Sequence, residues 1–355
     1  MDFFTGEHDG ADMLYLTRQD VVSGVAGIDP VAVAGDTLRA HAKGDTLVPE
    51  EAYLGWETSA GHSARSLAMP GMVTFDGRRQ LGLKVINASL GNIERGLPRS
   101  QGLTMIFDPD TARPLVIMEA AYISALRTAS VSMAAANALT LPGVDEVALI
   151  GCGTLAKAHL ALLPPSITTV RLFDLDRGRA DALAGALRAD AGTARLRVVV
   201  ADDVGSAVRG AGLVIPVTTV TEGYLPYAWL EPGSVVVNVS LDDVLPDVVH
   251  AAEAVFVDDW GLVSHDPRRL LGRMFRSGDL RGPDGEGFPG APERPDARRV
   301  DATIGEVLLG THPGRRDDAG VILVNPFGMS ILDVAFGSAV YQQALSRGLG
   351  TRLPI

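Results

Sequence analysis

Two basic side chains stand in apolar surroundings, where a charge requires a partner or a function. Lys84 lies within LGLKV, and burial there would lower the pKa of its ammonium group, although a solvent-facing lysine on an alternating strand fits the same pattern. Arg127 lies within ISALRTASVS, a stretch of small and apolar residues. A buried guanidinium needs an anionic partner, which could be Glu119 or Asp145 of the chain itself, or a carboxylate or phosphate of a ligand.

A third group of polar residues follows an apolar run in VVVNVSLDDVLPD. It contains Asn238, Ser240, Asp242 and Asp243. The run predicts a parallel strand, and ligands of open α/β sheets bind just beyond the carboxyl ends of such strands. These residues are therefore candidates for ligand contact, with a helix cap or a turn as the alternative role of the aspartates.

A glycine-rich sequence, GCGTLA at 151–156, fits the dinucleotide-binding pattern G-x-G-x-x-G/A. It follows the strand-like sequence VALI and precedes the helix-forming sequence LAKAHLALL. Gly151 permits a tight turn, Gly153 lets the backbone approach a pyrophosphate, and the helix N-terminus supplies N–H donors to the phosphates. The alternative is a glycine turn in an α/β protein that binds no nucleotide.

An acidic residue, Asp174, ends the next predicted strand, near the expected spacing of about 20 residues from the glycines. A carboxylate there accepts hydrogen bonds from ribose hydroxyls and repels a 2′-phosphate. NAD is therefore predicted as the cofactor rather than NADP. Arg177 and Arg179 lie close in the sequence and weaken this preference.

The secondary structure predicted to position these residues differs between the two parts of the chain. A strand and a helix are predicted within 13–47, a mostly antiparallel sheet within 48–118 with a hairpin at DPDTARP, and a helix over 119–140. From residue 145 onward strands and helices alternate, which predicts a parallel sheet covered by helices. Residues 278–300 are rich in Gly, Pro and charge and predict a surface loop or a partly disordered segment, and SILDVAFGSAVYQQALSRG predicts a C-terminal helix.

Composition excludes several classes of protein. The 355 residues correspond to about two domains, and a net charge of −12 without a long run of Lys or Arg argues against nucleic-acid binding. The single cysteine, Cys152, excludes an internal disulfide and a multi-cysteine metal cluster, and no metal is predicted. Because no apolar run reaches about 18 residues and the N-terminal sequence is unlike a signal peptide, we expect no membrane association and a cytoplasmic location.

Together these segments resemble the ornithine cyclodeaminase/mu-crystallin family over nearly the whole chain. The resemblance is carried by LYLTRQDV, LAMPG, LGLKV, MEAAYISALRTASVSMAAA, LIGCGTLA, VTTVT, LEPGSVVVNVSLDD and NPFGMSILDVA. It implies an α/β fold in which a Rossmann-type NAD-binding domain, residues 131–319, is inserted into a segmented α+β substrate-binding and dimerisation domain. That domain would consist of residues 1–130 and a C-terminal segment, 320–355, and would form a homodimer.

Within the family the chain looks most like the branch that forms 2,3-diaminopropionate for siderophores and peptide antibiotics, through IMEAAYISALRTASVS, VDDW, HPGR and NPFGM. That branch uses NAD to oxidise the CH–NH bond of N-(2-amino-2-carboxyethyl)-L-glutamate. Hydrolysis of the imine then gives L-2,3-diaminopropionate and 2-oxoglutarate. The alternatives are another amine chemistry of the family (ornithine cyclodeaminase, ketimine reductase or alanine dehydrogenase) and a non-enzymatic, nucleotide-dependent binding protein like mu-crystallin.

The resemblance implies a role for each matching residue. Lys84 matches the lysine that contacts the substrate carboxylate and the reacting centre, Arg127 matches the arginine that spans cofactor and substrate, and Asp243 matches the acid/base aspartate. Asp242 is the less favoured of the two aspartates. The implied cofactor-binding residues are Gly151, Gly153, Thr154, Leu155, Asp174, Arg127, Thr218, Asn238 and Ser240.

Three positions depart from the family pattern. Cyclodeaminases carry a glutamate where this chain has Leu67, which argues against ornithine cyclisation. Their arginine in the preceding loop has no clean match in PEEAYLGWE, and Arg65 could replace it in space as a substrate-binding residue. Pro246 stands where some relatives have a lysine.

Overall fold

The structure, a computed structural model, describes residues 12–240 and 242–354. Its internal contacts divide the chain into two compact units. The first unit contains the described residues up to Arg127 and those from Met329 onward, and the second unit is Thr128–Gly328.

Strands and helices alternate irregularly in the first unit and regularly in the second. The strands are β1 (Asp12–Leu16), β2 (Thr46–Leu47), β3 (Ala52–Glu57), β4 (Ser63–Phe75), β5 (Arg78–Ser89), β6 (Ser100–Phe107), β7 (Pro114–Glu119), β8 (Glu146–Ile150), β9 (Thr169–Phe173), β10 (Arg197–Val200), β11 (Leu213–Pro216), β12 (Val235–Val237), β13 (Ala254–Val257), β14 (Leu280–Arg281), β15 (Arg298–Arg299), β16 (Ala302–Thr303), β17 (Ile322–Asn325) and β18 (Thr351–Pro354). The helices are α1 (Arg18–Val25), α2 (Pro30–Ala42), α3 (Ala121–Leu139), α4 (Thr154–Leu160), α5 (Arg177–Ala189), α6 (Val204–Val208), α7 (Pro246–Ala251), α8 (Trp260–His265), α9 (Leu270–Ser277), α10 (Ile304–Leu309) and α11 (Ser330–Arg347).

The first unit is built on a sheet with strand order β18-β1-β7-β6-β5-β4-β2, in which β3 also pairs with β4. Strands β4, β5, β6 and β7 are antiparallel neighbours, which confirms the predicted antiparallel sheet and its hairpin at DPDTARP. Strand β1 joins β7 in parallel, and β18 pairs with β1 at the edge. No strand was predicted for β18, because TRLP lacks an alternating apolar pattern.

The predicted C-terminal helix, α11, packs across one face of this sheet. Its backbone comes so close to β4 that a Cβ added to Gly71 would lie 3.1 Å from Ile331 N. A glycine at this position therefore permits the close approach of the helix to the strand. The approach matters because α11 carries a side chain of the candidate site.

The N-terminal region contains two helices where one was predicted. Helix α1 begins at a capping box formed by Thr17 and Asp20, and Pro30 begins α2, whose 13 residues match the predicted helix. Within the described ranges, no single helix is long and apolar enough to cross a membrane. Helices α1 and α2 reach that length and hydropathy only as a pair, with a bend of 85° between them.

The second unit is built on a parallel sheet with strand order β10-β9-β8-β11-β12-β17-β13-β16. Its first five strands in space are the third, second, first, fourth and fifth of the unit in sequence, which is the Rossmann order. With the division of the chain, this topology confirms the predicted fold class, a Rossmann-type domain inserted into a segmented α+β domain.

Strand β17 moves the second predicted boundary. Residues 320–328 were predicted to belong to the C-terminal segment, but β17 is buried between β12 and β13 and pairs with both. The return to the first unit therefore begins at Met329, and the first division falls after Arg127 rather than after residue 130. A short apolar run such as ILVN does not indicate which sheet it joins.

Residues 278–300 form a loop, as predicted, and the loop is anchored at both ends. Strands β14 and β15 pair in parallel, and Leu280 and Val300 are fully buried. In the middle of the loop, Phe288 packs edge-on against Phe275 of α9, with ring centroids 5.6 Å apart. The loop is therefore an ordered part of the second unit rather than a disordered segment.

Candidate active site

Lys84 is buried and paired with a residue that the sequence analysis did not identify. Helix α11 covers its strand, and Lys84 Nζ donates a hydrogen bond to Asp333 Oδ2 at 2.6 Å. Neither side chain is more than 1% exposed. Because removal from water disfavours the ammonium form, burial lowers the Lys84 pKa to about 8, against the opposing influence of Asp333.

Arg127, on α3, approaches the same carboxylate. Its Nε lies 3.4 Å from Asp333 Oδ1, and its side chain is 10% exposed. Both partners predicted for it are engaged elsewhere, since Glu119 caps the first turn of α3 and Asp145 accepts a hydrogen bond from Thr168. An ion pair within the chain was one of the alternatives predicted for Arg127, and the structure shows this pair with Asp333.

The cluster of Lys84, Arg127 and Asp333 contains two basic groups and one carboxylate. Buried charge is costly unless it is paired, so the second cation favours binding of an anion. A guanidinium suits a carboxylate because the two can form parallel N–H···O bonds. The cluster is therefore chemically able to hold a ligand carboxylate.

The glycine turn of the second unit has the geometry that the dinucleotide pattern requires. Gly151 has a φ of 97°, and a Cβ added to it would lie 3.0 Å from Val217 O. A Cβ added to Gly153 would meet no atom within 4 Å, so the backbone there is open to a ligand. Thr154 and Leu155 begin α4, and the N–H groups of a first helical turn are donors for a pyrophosphate.

Asp174 follows β9 and holds the glycine turn in place. Its carboxylate accepts hydrogen bonds from the backbone N–H groups of Cys152, at 2.8 Å, and Asp176, at 2.9 Å. Arg177 and Arg179, which weakened the preference for NAD, both form ion pairs with neighbouring aspartates. A carboxylate beside the turn, with these arginines engaged, fits the ribose diol of NAD.

Asp243 is buried beyond the carboxyl end of β12. It accepts hydrogen bonds from Thr218 Oγ1 at 2.5 Å and from the Tyr224 hydroxyl at 2.7 Å. Burial raises the Asp243 pKa, and hydrogen bonds from hydroxyl groups oppose the rise. Its other oxygen, Oδ2, accepts no hydrogen bond from the residues that the structure describes. Such a carboxyl group is suited to accept and return a proton.

Asp242, unlike Asp243, is held in an ion pair with an arginine. Arg273 binds both of its carboxylate oxygens, at 2.8 and 3.2 Å, and Asp242 is 2% exposed. This ion pair leaves Asp243 as the better candidate for acid–base chemistry, in agreement with the family resemblance. Tyr224 was not singled out in the sequence, because nothing in TEGYLPY ties it to an aspartate about 20 residues later.

The remaining predicted cofactor residues lie on the side of the glycine turn away from Asp174. Thr218 follows β11 and Asn238 follows β12, whereas Asp174 follows β9. Asn238 Nδ2 donates to Asn325 Oδ1 at 2.7 Å, and Ser240 Oγ donates to Pro216 O at 3.4 Å. These residues share the carboxyl edge of the sheet, where ligands of this fold bind.

Arg65 shares a sheet face with Lys84 without joining its cluster. Residues 65, 67 and 69 of β4 lie on one face, and Met69 is the cross-strand partner of Lys84. Leu67 therefore lies between Arg65 and the cluster.

Comparison with known proteins identifies the family. Residues 36–348 match the model of the ornithine cyclodeaminase/mu-crystallin family. The chain is 30% identical to an N-((2S)-2-amino-2-carboxyethyl)-L-glutamate dehydrogenase of Staphylococcus aureus, over 96% of this chain and 98% of that protein. The crystal structure of CmnK is 41% identical, with a TM-score of 0.85, and the match covers 96% of this chain and 98% of that one. An archaeal alanine dehydrogenase, solved as a dimer with NAD, has the same fold at 24% identity, with a TM-score of 0.78 over 97% of this chain and 99% of that one.

The charge of Lys84 can be followed directly, because the chain has only two other lysines, Lys43 and Lys157, both exposed. We expect the Lys84 side chain to titrate near pH 8. Since Asp333 raises the Lys84 pKa, Asp333→Asn should move it further below 8. A ¹³C NMR titration of labelled lysine measures this, with Lys84→Arg to assign the signal and the exposed lysines as references. An unchanged Lys84 titration in Asp333→Asn would contradict the pairing.

Proposed function

This chain belongs to the ornithine cyclodeaminase/mu-crystallin family, and from that premise we propose that it oxidises N-(2-amino-2-carboxyethyl)-L-glutamate with NAD and releases L-2,3-diaminopropionate and 2-oxoglutarate. It is an NAD-dependent oxidoreductase that acts on amine groups. The observation that carries the choice of substrate is the 30% identity to the Staphylococcus aureus dehydrogenase over 96% of this chain. We further propose that the diaminopropionate is used to make a siderophore or a peptide natural product. The resemblance to the diaminopropionate-forming branch supports this part of the proposal.

The cationic cluster supports this choice, because the substrate is an amine that carries carboxylates. In the proposed reaction Lys84 and Arg127 bind a carboxylate and hold the substrate in a reactive orientation. Asp333 keeps the Lys84 ammonium positioned through their hydrogen bond. Two basic side chains held by one buried carboxylate thus form a preorganised anion site.

The proposed chemistry divides between the cofactor and the protein. NAD held at the glycine turn and Asp174 would supply the hydride acceptor for oxidation of the CH–NH bond at the glutamate α-carbon to C=N. Water adds to that bond, and its cleavage gives the primary amine of diaminopropionate and the keto group of 2-oxoglutarate. Asp243 accepts a proton at Oδ2 from the attacking water and returns one to the departing amine, so its own protonation state is restored.

The direct test of the proposed function is turnover. We expect the protein, with NAD and N-(2-amino-2-carboxyethyl)-L-glutamate, to form NADH and 2-oxoglutarate in equal amounts, measured by absorbance and by a coupled 2-oxoglutarate assay. Proline formation from ornithine, with no turnover of this amine, would instead establish cyclodeaminase activity. Oxidation of alanine alone would favour the alanine dehydrogenase alternative.

The roles of the adjacent aspartates can be separated by matched substitutions. Asp243→Asn should lower kcat by about 100- to 10,000-fold, because it removes the group that exchanges the proton. Asp242→Asn weakens the ion pair with Arg273 and should lower the temperature of unfolding while turnover is retained. Steady-state kinetics and thermal denaturation of both variants test this assignment, and full activity of Asp243→Asn would refute it.

We also propose that the protein is a homodimer formed through the first unit. The face of the first sheet opposite α11 carries a row of cross-strand partners, Leu83, Met105, Ile117 and Tyr15. They are half-buried or exposed, and Tyr15 is 37% exposed. A continuous apolar sheet face of this kind is typical of a protein–protein interface, and a second copy of the chain is the occupant that the family resemblance implies.

A charge placed in the centre of this row should prevent dimer formation. We expect Met105→Glu to be monomeric by light scattering after size exclusion, whereas the wild type is dimeric. Leu175→Glu is the matched control, since Leu175 is 89% exposed in the second unit and should leave the dimer intact. A dimeric Met105→Glu protein would place the interface elsewhere.

A further inference from the structure

The segments that follow β11 and β12 in the second unit are joined to each other by backbone hydrogen bonds. The N–H groups of Tyr224 and Leu225 both donate to Asp243 O at 3.0 Å. Leu225 accepts a hydrogen bond from Leu245 N–H, also at 3.0 Å, and forms a parallel bridge with Val244. Because Leu225 and Val244 are both buried, the segment that carries Tyr224 is fixed against the segment that carries Asp243.

A glycine permits this close approach. A Cβ added to Gly223 would lie 2.7 Å from Val244 O, which is closer than a side chain tolerates. Gly223 directly precedes Tyr224, so the tyrosine begins beside the segment that contains Asp243. The Tyr224 side chain is half-buried, and its hydroxyl donates to Asp243 Oδ1 at 2.7 Å. Backbone and side-chain contacts therefore both hold this tyrosine beside the aspartate.

The two carboxyl oxygens of Asp243 have different surroundings. Oδ1 accepts two hydrogen bonds, from the Tyr224 hydroxyl at 2.7 Å and from Thr218 Oγ1 at 2.5 Å. Oδ2 is buried and accepts no hydrogen bond from any residue within 12–240 and 242–354. Because the two donors occupy the lone pairs of Oδ1, a proton binds to the carboxyl group at Oδ2.

We propose that Tyr224 is a positioning residue of the reaction, which together with Thr218 holds Asp243 Oδ1 and leaves Oδ2 as the one oxygen that exchanges a proton. The inference rests on the proposed function, in which Asp243 accepts a proton from water and returns one to the amine. Tyr224 takes no part in that exchange. Burial, together with the negative charge of Asp243, raises the Tyr224 pKa above its ordinary value, so the phenol stays protonated and acts only as a donor.

The surroundings of Asp243 determine how its pKa responds to a substitution. The side chains that act on it are three hydroxyl groups and one carboxylate, those of Thr218, Ser240, Tyr224 and Asp242. Burial raises the Asp243 pKa, the hydroxyl groups lower it, and the negative charge of Asp242 raises it. Asp242 is in turn paired with Arg273 of α9. Since the Tyr224 hydroxyl stabilises the carboxylate form, its removal raises the Asp243 pKa further.

The pH dependence of turnover separates positioning from a purely structural role. With NAD and the proposed amine, Tyr224→Phe should move the acid limb of the kcat/KM profile upward by about one pH unit, because Asp243 must lose its proton to act as a base. Above that limb kcat should fall by about tenfold while KM is unchanged, since the proton acceptor is held less well. Tyr227→Phe is the matched control, because Tyr227 lies in the same segment and its hydroxyl forms no hydrogen bond to Asp243 among the described contacts. An unmoved limb in Tyr224→Phe would overturn the proposal.

The contact can also be measured without turnover, by ¹³C NMR of protein labelled at the Cζ atoms of its six tyrosines. We expect the Tyr224 signal, assigned with Tyr224→Phe, to show a titration step above the ordinary aspartate pKa of about 4. The step should vanish in Asp243→Asn and move to lower pH in Asp242→Asn, which removes a neighbouring negative charge.

A wild-type Tyr224 signal without such a step would overturn the proposal even if no variant folds. A step that persists in Asp243→Asn would also overturn it. A step that depends on Asp243, in a protein that does not turn over the proposed amine, would support the contact and refute the proposed reaction.

Discussion

The hydrogen-bonded ion pair between Lys84 and Asp333 is the interaction on which the rest of the first unit's chemistry depends. It joins residues 249 positions apart, so Lys84 acquires its partner only when the C-terminal helix returns to the first sheet. Breaking such a buried pair costs about 3–5 kcal/mol. Asp333 nevertheless compensates Lys84 only in part, because burial holds the Lys84 pKa at about 8 and Arg127 adds a second cation beside the same carboxylate. The proposed affinity for an anion would therefore follow from how the segmented unit folds.

Burial also shifts the pKa of the candidate catalytic residue of the second unit, which is an acid, Asp243, rather than a base. Asp243 lies at the carboxyl edge of a Rossmann sheet, where desolvation raises its pKa while the hydroxyl groups of Thr218 and Tyr224 keep it oriented. The adjacent Asp242 is committed to Arg273. In the proposed mechanism the first unit holds the anionic substrate and the second unit binds NAD and moves the proton. In each unit the neighbours of the buried ionisable groups compensate only part of their charge. The proposed roles follow from this incomplete compensation.

The sequence predicted most of what depends on local pattern. Gly151 and Gly153, the antiparallel and parallel regions, and the candidates Lys84 and Arg127 were recognisable because glycine turns, apolar periodicity and isolated charges are local features. Asp243 was distinguished from Asp242 only by the family resemblance. The missed features depend on contacts between distant segments. Asp333 lies in the apolar helical sequence ILDVAF, Tyr224 in a loop, and strand β17 in a short run that fits either sheet.

The measurement that tests the central claim most directly is the number of protons taken up when a carboxylate ligand binds. If a ligand carboxylate is held by Lys84 and Arg127, it raises the Lys84 pKa from about 8, so the half-deprotonated lysine takes up a proton on binding. Calorimetry of 2-oxoglutarate binding in buffers of different ionisation enthalpy should show uptake of about half a proton at pH 8, falling toward zero at pH 6. Binding without any proton uptake at pH 8 would contradict the account.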